Sequence, residues 1–374
     1  MPAILLDPPS GSPDNRTVVR IAIPVFFSFL LAAFCRAEPS GTPDSALAAA
    51  LDPIAPALTK WATVCIITKS PDGHHAFTWH DYRDTAGRTD FWPASTIKIY
   101  AVIAALELLN ERGFPFDSTV QFEHQNKDGS WTLDCARGVK EMLSEVFRRS
   151  SNEDYTLLLR LTGIDRINTQ FLTPERGFPH SALMRGYVLG RPYQYSREEA
   201  QRITLRSADG SKTVTLEHTW SGRSYSEERG ATIFEAKTGN VTSPRELGEC
   251  LRRVLFAEEI PEADRYHLNS EQLEFLRHGA AGLTGLQTTS PDSEPDAWLN
   301  GVEPVFPNAK FFHKCGLIAD YALEVAAVDD TANSGAQFIL VPVIHAGEES
   351  TPVTGQKLVG QMARAISDWV KAGL

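Results

Sequence analysis

The 374-residue chain lacks the features that would set a function class by themselves. It has no run of lysine or arginine, and 36 basic residues face 47 acidic ones, for a net charge of −11. Nucleic acid is therefore not an expected partner, and the acidic balance serves solubility. No cofactor-binding motif occurs. His74, His75 and His80 lie close together, but no cysteine or aspartate ligand pattern accompanies them. They fit surface histidines near a turn better than a metal centre. The longest apolar stretch, residues 21–34, is too short to cross a bilayer comfortably. Cysteine is scarce, with five in the whole chain.

The apolar stretch fits a different role. Arg16 and Arg20 precede it, and Cys35-Arg36-Ala37 follows, with small residues at the two positions a signal peptidase reads. A secretory signal cleaved after Ala37 is expected, leaving 38–374 secreted or periplasmic with no stable membrane anchor. Phe34 is bulky where lipoprotein processing at Cys35 needs a small residue, and residues 1–18 are long and Pro-rich for a leader. Cys65, Cys135, Cys250 and Cys315 would remain. Export permits disulfides, and four cysteines allow three pairings. Four separate buried thiols are an equal alternative.

At 42% hydrophobic and 22% charged residues, the chain can bury a large core as one domain or two lobes. A helix is expected over Ser45–Lys60, then strands at Trp61–Lys69 and His75–Tyr82 joined at Asp72-Gly73. An apolar helix containing Ser95 runs to Asn110 and stops at Gly113. A second helix covers Ser150–Thr162. Residues 175–235 form an insertion, mostly polar loop, with a β-hairpin on either side of Asp209-Gly210. Ser243-Pro244-Arg245-Glu246 opens a further helix with a capping box, and another covers Ser270–His278. Strands at Ala309–Cys315, Tyr321–Val328 and Ala336–Ile344 and a helix at Gly355–Ala372 close the chain. The fold class is α+β: an α/β sandwich with a five-stranded antiparallel sheet flanked by helices, plus a mostly helical lobe.

Of eleven lysines, only Lys98 has a serine three residues earlier, Ser95. Three residues is nearly one helical turn, so the two side chains share a face. A serine hydroxyl needs a base within reach to act as a nucleophile. Lys98 becomes that base if burial and a neighbouring cation lower its pKa. Ser150-Ser151-Asn152 places a hydroxyl and an amide at a helix head, where they can relay a proton and hold a substrate amide, or simply cap the helix. Lys314-Cys315-Gly316 ends a strand. That lysine supplies a cation for a substrate carboxylate, and the glycine permits close approach.

Together, Ser95-x-x-Lys98, Ser150-x-Asn152 and Lys314-x-Gly316 resemble the ordered motifs of penicilloyl-serine transferases, and within them the class A β-lactamases. The resemblance covers roughly residues 45–372, excluding 175–235. It implies that Ser95 is acylated, Lys98 is its base, Ser150 passes a proton to the leaving nitrogen, and Lys314 binds the substrate carboxylate. Asn152, Cys315, Gly316 and Leu317 would contact substrate, with the backbone N–H groups of Ser95 and Leu317 as the oxyanion hole. Lys237-Thr238-Gly239 spells the third motif literally, but a helix follows it. Two strands and a terminal helix follow Lys314, as in the family. Departures are Cys315 for the motif threonine, Ser151 for its aspartate, and Leu323 where an arginine often helps bind the carboxylate. No pattern for the deacylating glutamate is evident. Glu227, Glu228 and Glu235 are the candidates, each of which reads more readily as a surface carboxylate in the insertion. The expected function is an exported, cofactor-free, monomeric serine hydrolase of β-lactamase type acting on a small molecule. The alternatives are a D,D-carboxypeptidase or other serine esterase or amidase, and a non-catalytic binding module. Asn240-Val241-Thr242 is a glycosylation sequon.

Overall fold

Two antiparallel sheets organise the chain in the computed structural model, which describes residues 44–230, 233, 235–287, 298–318, 320–347 and 351–373. The expected leader, 1–37, lies outside them. Asp44 caps α1 (Ser45–Leu51), accepting from the backbone N–H groups of Ala46 and Leu47. This helix is shorter than expected. Pro53 cannot continue it, and Ala55 turns the chain with φ at +43°, so Lys60 falls in the next strand.

Strands β1 (Thr59–Lys69) and β2 (His75–Tyr82) lead to α2 (Lys98–Arg112). Next come β3 (Thr119–Gln125), β4 (Trp131–Gly138), α3 (Val139–Arg148), α4 (Asn152–Thr162) and the short α5 (Ile164–Arg166). The central stretch holds β5 (Gln201–Arg206), β6 (Thr213–His218), α6 (Tyr225–Arg229), α7 (Pro244–Leu255), α8 (Ser270–His278) and α9 (Leu299–Val302). Strands β7 (Lys310–Ile318), β8 (Tyr321–Asp330) and β9 (Ala336–His345) precede α10 (Pro352–Ala372).

The expected five-stranded sheet forms in the order β2-β1-β9-β8-β7, antiparallel throughout. Both faces are covered, which is why β8 and β9 are apolar almost without alternation. Ala326, Val328 and Leu340 face a cluster with α1, α9 and α10. Leu323, Val325 and Val341 face a larger cluster that takes in α2, α4 and α7. Side chains alternate along β7, so Lys314 and Gly316 share the face of Phe312, which belongs to the larger cluster. The β8–β9 ladder breaks at Glu324 and Val325, opposite Pro342, which has no N–H to donate. Among the described residues no disulfide joins Cys65, Cys135, Cys250 and Cys315, so none of the three pairings forms.

A second sheet, β4-β3-β5-β6, was not anticipated. The hairpin expected around Asp209-Gly210 is present as β5 and β6, and it pairs onto β3. β3 buries only Val120 and Phe122 fully, and β4 buries no residue fully. Their polar composition therefore gave no strand signal. The sheet is tied to α4 through Arg160, which is 0% exposed. Its guanidinium donates to Asp134 Oδ2 at 2.6 Å, Gln201 Oε1 at 2.8 Å and Pro192 O at 2.9 Å. Removing one member of a buried ion pair leaves the other charge uncompensated. Asp134→Ala is therefore expected to cost about 3 kcal/mol, read as a fall in the urea unfolding midpoint.

Candidate active site

Ser95 lies in a 3₁₀ turn, Ala94–Ile97, which precedes α2 rather than forming its first turn. Side chains three apart eclipse in such a turn, so Ser95 and Lys98 still share a face. The chain enters through Ala94 at φ +44°, a costly conformation for a residue with a Cβ. Thr96 Oγ1 donates to Pro93 O at 2.6 Å and braces the entry.

Lys98 is 0% exposed. Its ammonium donates to Asn152 Oδ1 at 2.7 Å, to Ser150 Oγ at 3.0 Å and to the Ser150 carbonyl. The rings of Tyr155 and Tyr187 each lie with their centroids 5.9 Å from it. Ser150 was expected inside a helix, but it stands before α4 with φ at +53°. That conformation brings both of its oxygens to one cation. Ser151, in the middle of the motif, is the N-cap, accepting from Asp154 N at 3.0 Å. Asp154 in turn accepts from Arg137 on β4.

A cavity of about 270 Å³ opens over these groups. Its lining includes Ser95, Asn152 and Leu317 among the expected residues, with Trp92, Arg185, Tyr187, Leu189 and Ile318 unforeseen. Lys314 is 2% exposed and does not line it; its ammonium donates to Cys315 O at 3.1 Å. Gly316 abuts the nucleophile turn. A Cβ there would lie 3.0 Å from both Pro93 O and Thr96 Cγ2. Lys237 sits in an exposed turn between α6 and α7, not on a strand.

The carboxylate candidates are elsewhere. Glu228 pairs with Arg223 at 2.6 Å, and Glu227 is exposed on α6. Glu235 is half exposed and reaches Arg185 at 3.1 Å without lining the cavity. Among the described lining residues there is no aspartate or glutamate. Tyr187 stands close to Lys98 instead, donating to Ala94 O at 2.8 Å. Burial pushes its phenol up to about 12.

The segment carrying Arg185 and Tyr187 is pinned by Asn240. Asn240 Oδ1 accepts from Met184 N at 2.7 Å and Arg185 N at 3.1 Å, and its amide donates to Arg185 O. This sequon asparagine is 5% exposed and structural. Gly186 lets the segment meet α4, since a Cβ there would lie 2.6 Å from Thr156 Cγ2. A sequence signal existed in Tyr187, Tyr193 and Tyr195, three tyrosines in an otherwise polar stretch.

Behind α2 runs a buried polar chain. Tyr100, two residues after Lys98, meets Thr242 Oγ1 at 2.9 Å; Thr242 meets Ser181 Oγ at 2.7 Å; and Ser181 donates to Glu246. Glu246 Oε1 also accepts from His180 N at 2.9 Å. Ser243 caps α7 as expected, but the Glu246 carboxyl serves this network and does not complete a capping box. Burial pushes its pKa up to about 7, against the donors Ser181 and His180 and the more distant Arg229, which act to lower it.

A model of the beta-lactamase enzyme family matches residues 78–370. The fold is similar to that of a class A beta-lactamase from Bacteroides cellulosilyticus, at 13% identity and a TM-score of 0.54, covering 89% of this chain and 99% of that one. A beta-lactamase from Desulfarculus baarsii, at 14% identity and a TM-score of 0.51, covers 88% and 98%. One from Xanthomonas campestris, at 15% and 0.51, covers 87% and 97%. No curated protein sequence matches the chain.

Glu246 gives the molecule a pH signature. Its carboxyl holds a proton in the folded state that the unfolded chain releases near the ordinary value of 4.5. The folded state thus binds more protons between 4.5 and about 7, so this contribution is complete below 4.5 and lost as pH rises through about 7. Glu246→Gln is expected to flatten the loss of stability between pH 5 and 8 by on the order of 3 kcal/mol, measured by urea unfolding across that range.

Proposed function

The chain belongs to the beta-lactamase enzyme family, and we propose that Ser95 is the nucleophile acylated by a beta-lactam or by a peptide amide of similar shape. The observation that carries this reading is the buried Lys98 ammonium, 2.7 Å from Asn152 Oδ1 and 3.0 Å from Ser150 Oγ, beside a cavity that contains Ser95. Acylation needs Lys98 as the neutral amine, and in that form its nitrogen accepts the Ser95 hydroxyl proton as Oγ attacks the carbonyl carbon. The backbone N–H groups of Ser95 and Leu317 hold the oxyanion. The carbon–nitrogen bond then breaks, and the Ser150 hydroxyl passes a proton to the leaving nitrogen. The Asn152 oxygen is occupied by Lys98, which leaves its NH₂ to hold the substrate's acyl amide. Lys314 and Gly316 serve the leaving-group side, with Cys315 where a hydroxyl would otherwise help.

Hydrolysis of the ester needs an activated water. Tyr187 is a poor base at neutral pH, because its phenol stays protonated to about 12. With no carboxylate among the described lining residues, a long-lived acyl-enzyme is favoured over fast turnover. That points to a penicillin-binding or D,D-peptidase-like activity ahead of an efficient β-lactamase. In either case residues 38–374 act as an exported, monomeric serine hydrolase on a small-molecule substrate. Among the described residues no helix is long and apolar enough to cross a membrane.

An intact-mass time course of residues 38–374 with benzylpenicillin tests this, with free drug assayed in parallel. A persistent adduct that disappears in Ser95→Ala is the expected result. Rapid loss of the adduct with drug consumed would instead establish turnover. Drug binding that survives Ser95→Ala, with no adduct in the unaltered chain, would favour a binding module.

A further inference from the structure

Arg185 lines the cavity, yet the chemistry above gives it no task. Its backbone is fixed on both sides: Asn240 holds its N–H and carbonyl, and the Tyr155 hydroxyl donates to the same carbonyl at 2.8 Å. Tyr155 is on α4, three residues after Asn152, and Gly186 packs on Thr156 of that helix. Arg185 therefore belongs to the α4 side of the cavity, whereas Leu317 and Ile318 bring in β7.

The charge at this position reaches two phenols, although burial dominates both. The guanidinium acts on the phenols of both Tyr155 and Tyr187, favouring their ionised forms against burial. A second cation, Arg197, is near enough to have its own pKa lowered by Arg185, after the larger effect of burial. The carboxylate beside Arg185 is Glu235, with Oε2 3.1 Å from the guanidinium. Glu235 is half exposed and also accepts from Thr238 Oγ1 at 2.7 Å, so it stands at the surface where another carboxylate can replace it. An acidic chain of net charge −11 thus presents to this cavity a cation and, among the described lining residues, no acid.

We propose that Arg185 is a specificity residue, selecting substrates that carry a carboxylate on the acyl side chain, the group attached to the carbonyl that Ser95 attacks. The proposal rests on Ser95 being the acylated serine. Asn152 would hold the acyl amide, so a group extending past that amide meets the α4 side of the cavity, where Arg185 stands. The leaving-group side is assigned above to β7, where Leu317 and Ile318 line the cavity, so an acyl-side carboxylate at Arg185 is a distinct anionic position. Trp92, Tyr187 and Leu189 supply an apolar surface for the body of the side chain, with Leu189 90% exposed at the rim. The substrate class is an acyl donor with an apolar side chain bearing a carboxylate. An arginine–carboxylate contact is charge-assisted and geometrically selective.

Benzylpenicillin and α-carboxybenzylpenicillin differ by one such carboxylate and form a matched pair. The second-order acylation rate constant is measured with each by intact mass, on the unaltered chain, Arg185→Gln and Glu235→Gln. Arg185→Gln is expected to lower the ratio of carboxylated to uncarboxylated donor about ten-fold or more, the scale of one charge-assisted hydrogen bond. Glu235→Gln is expected to raise it, because the competing carboxylate is gone. The ratio is taken on one preparation, so a general loss of folded protein cancels. A ratio in Arg185→Gln within about two-fold of the unaltered chain overturns the assignment while Ser95 stands, that change being well under the worth of such a bond. No adduct with either donor on the unaltered chain overturns the acylation reading, and the Arg185 assignment with it.

Discussion

A lysine ammonium removed completely from solvent is the constraint around which this molecule is arranged. Taking such a charge out of water costs several kcal/mol unless it is well liganded. Lys98 is held by three oxygens from two residues, Ser150 and Asn152, at the head of α4. Two of the three come from Ser150, whose left-handed backbone conformation is kept by its surroundings. Ser151 caps the helix, Asp154 receives the cap serine's hydroxyl, and Arg137 on β4 clamps Asp154. The ammonium on α2 therefore draws α4, the strand before α3 and the neighbouring tyrosines into one arrangement.

The main sheet was legible because its strands announce themselves. β1, β8 and β9 are long, β-branched or apolar, and bounded by turns, and their order follows from two strands at one end of the chain and three at the other. Ser95, Lys98, Ser150, Asn152 and Lys314 stood out because each falls in a short pattern with its own chemical logic; the structure brings Ser150 and Asn152 onto Lys98 beside a cavity lined by Ser95, while Lys314 is buried outside that lining. What stayed hidden depends on tertiary context. Nothing local marks Ala94 or Ser150 for positive φ. β3 and β4 are half-polar strands, and the second partner of β3 is β5, far along the chain, while the Glu246 side chain left its expected capping box for a contact with the loop at His180 and Ser181.

The least legible part of the site was the segment at Arg185–Leu189, because no side chain there belongs to a motif. It is set in place by an asparagine more than 50 residues later, through backbone contacts that any residue type would make. Its position decides the chemistry of the cavity all the same. It places a phenol and an arginine in the cavity lining, and among the described lining residues there is no carboxylate.

The bond from Arg160 to the second sheet carries a practical lesson for anyone handling this protein. Because α4 reaches into that sheet, the hairpin of β5 and β6 is no detachable cassette, and trimming it would take Gln201 from a buried guanidinium. The sheet nevertheless ends in two exposed tight turns, at Asp128-Gly129 and Asp209-Gly210, where the ladders have already closed. Such tips tolerate added sequence. The Asp128-Gly129 turn is the natural attachment point for a fluorophore, an affinity handle or a fusion partner, because the other turn, at the opposite end of the sheet, is tied to the end of α2 by Lys212, which donates to Gly113 O at 3.1 Å.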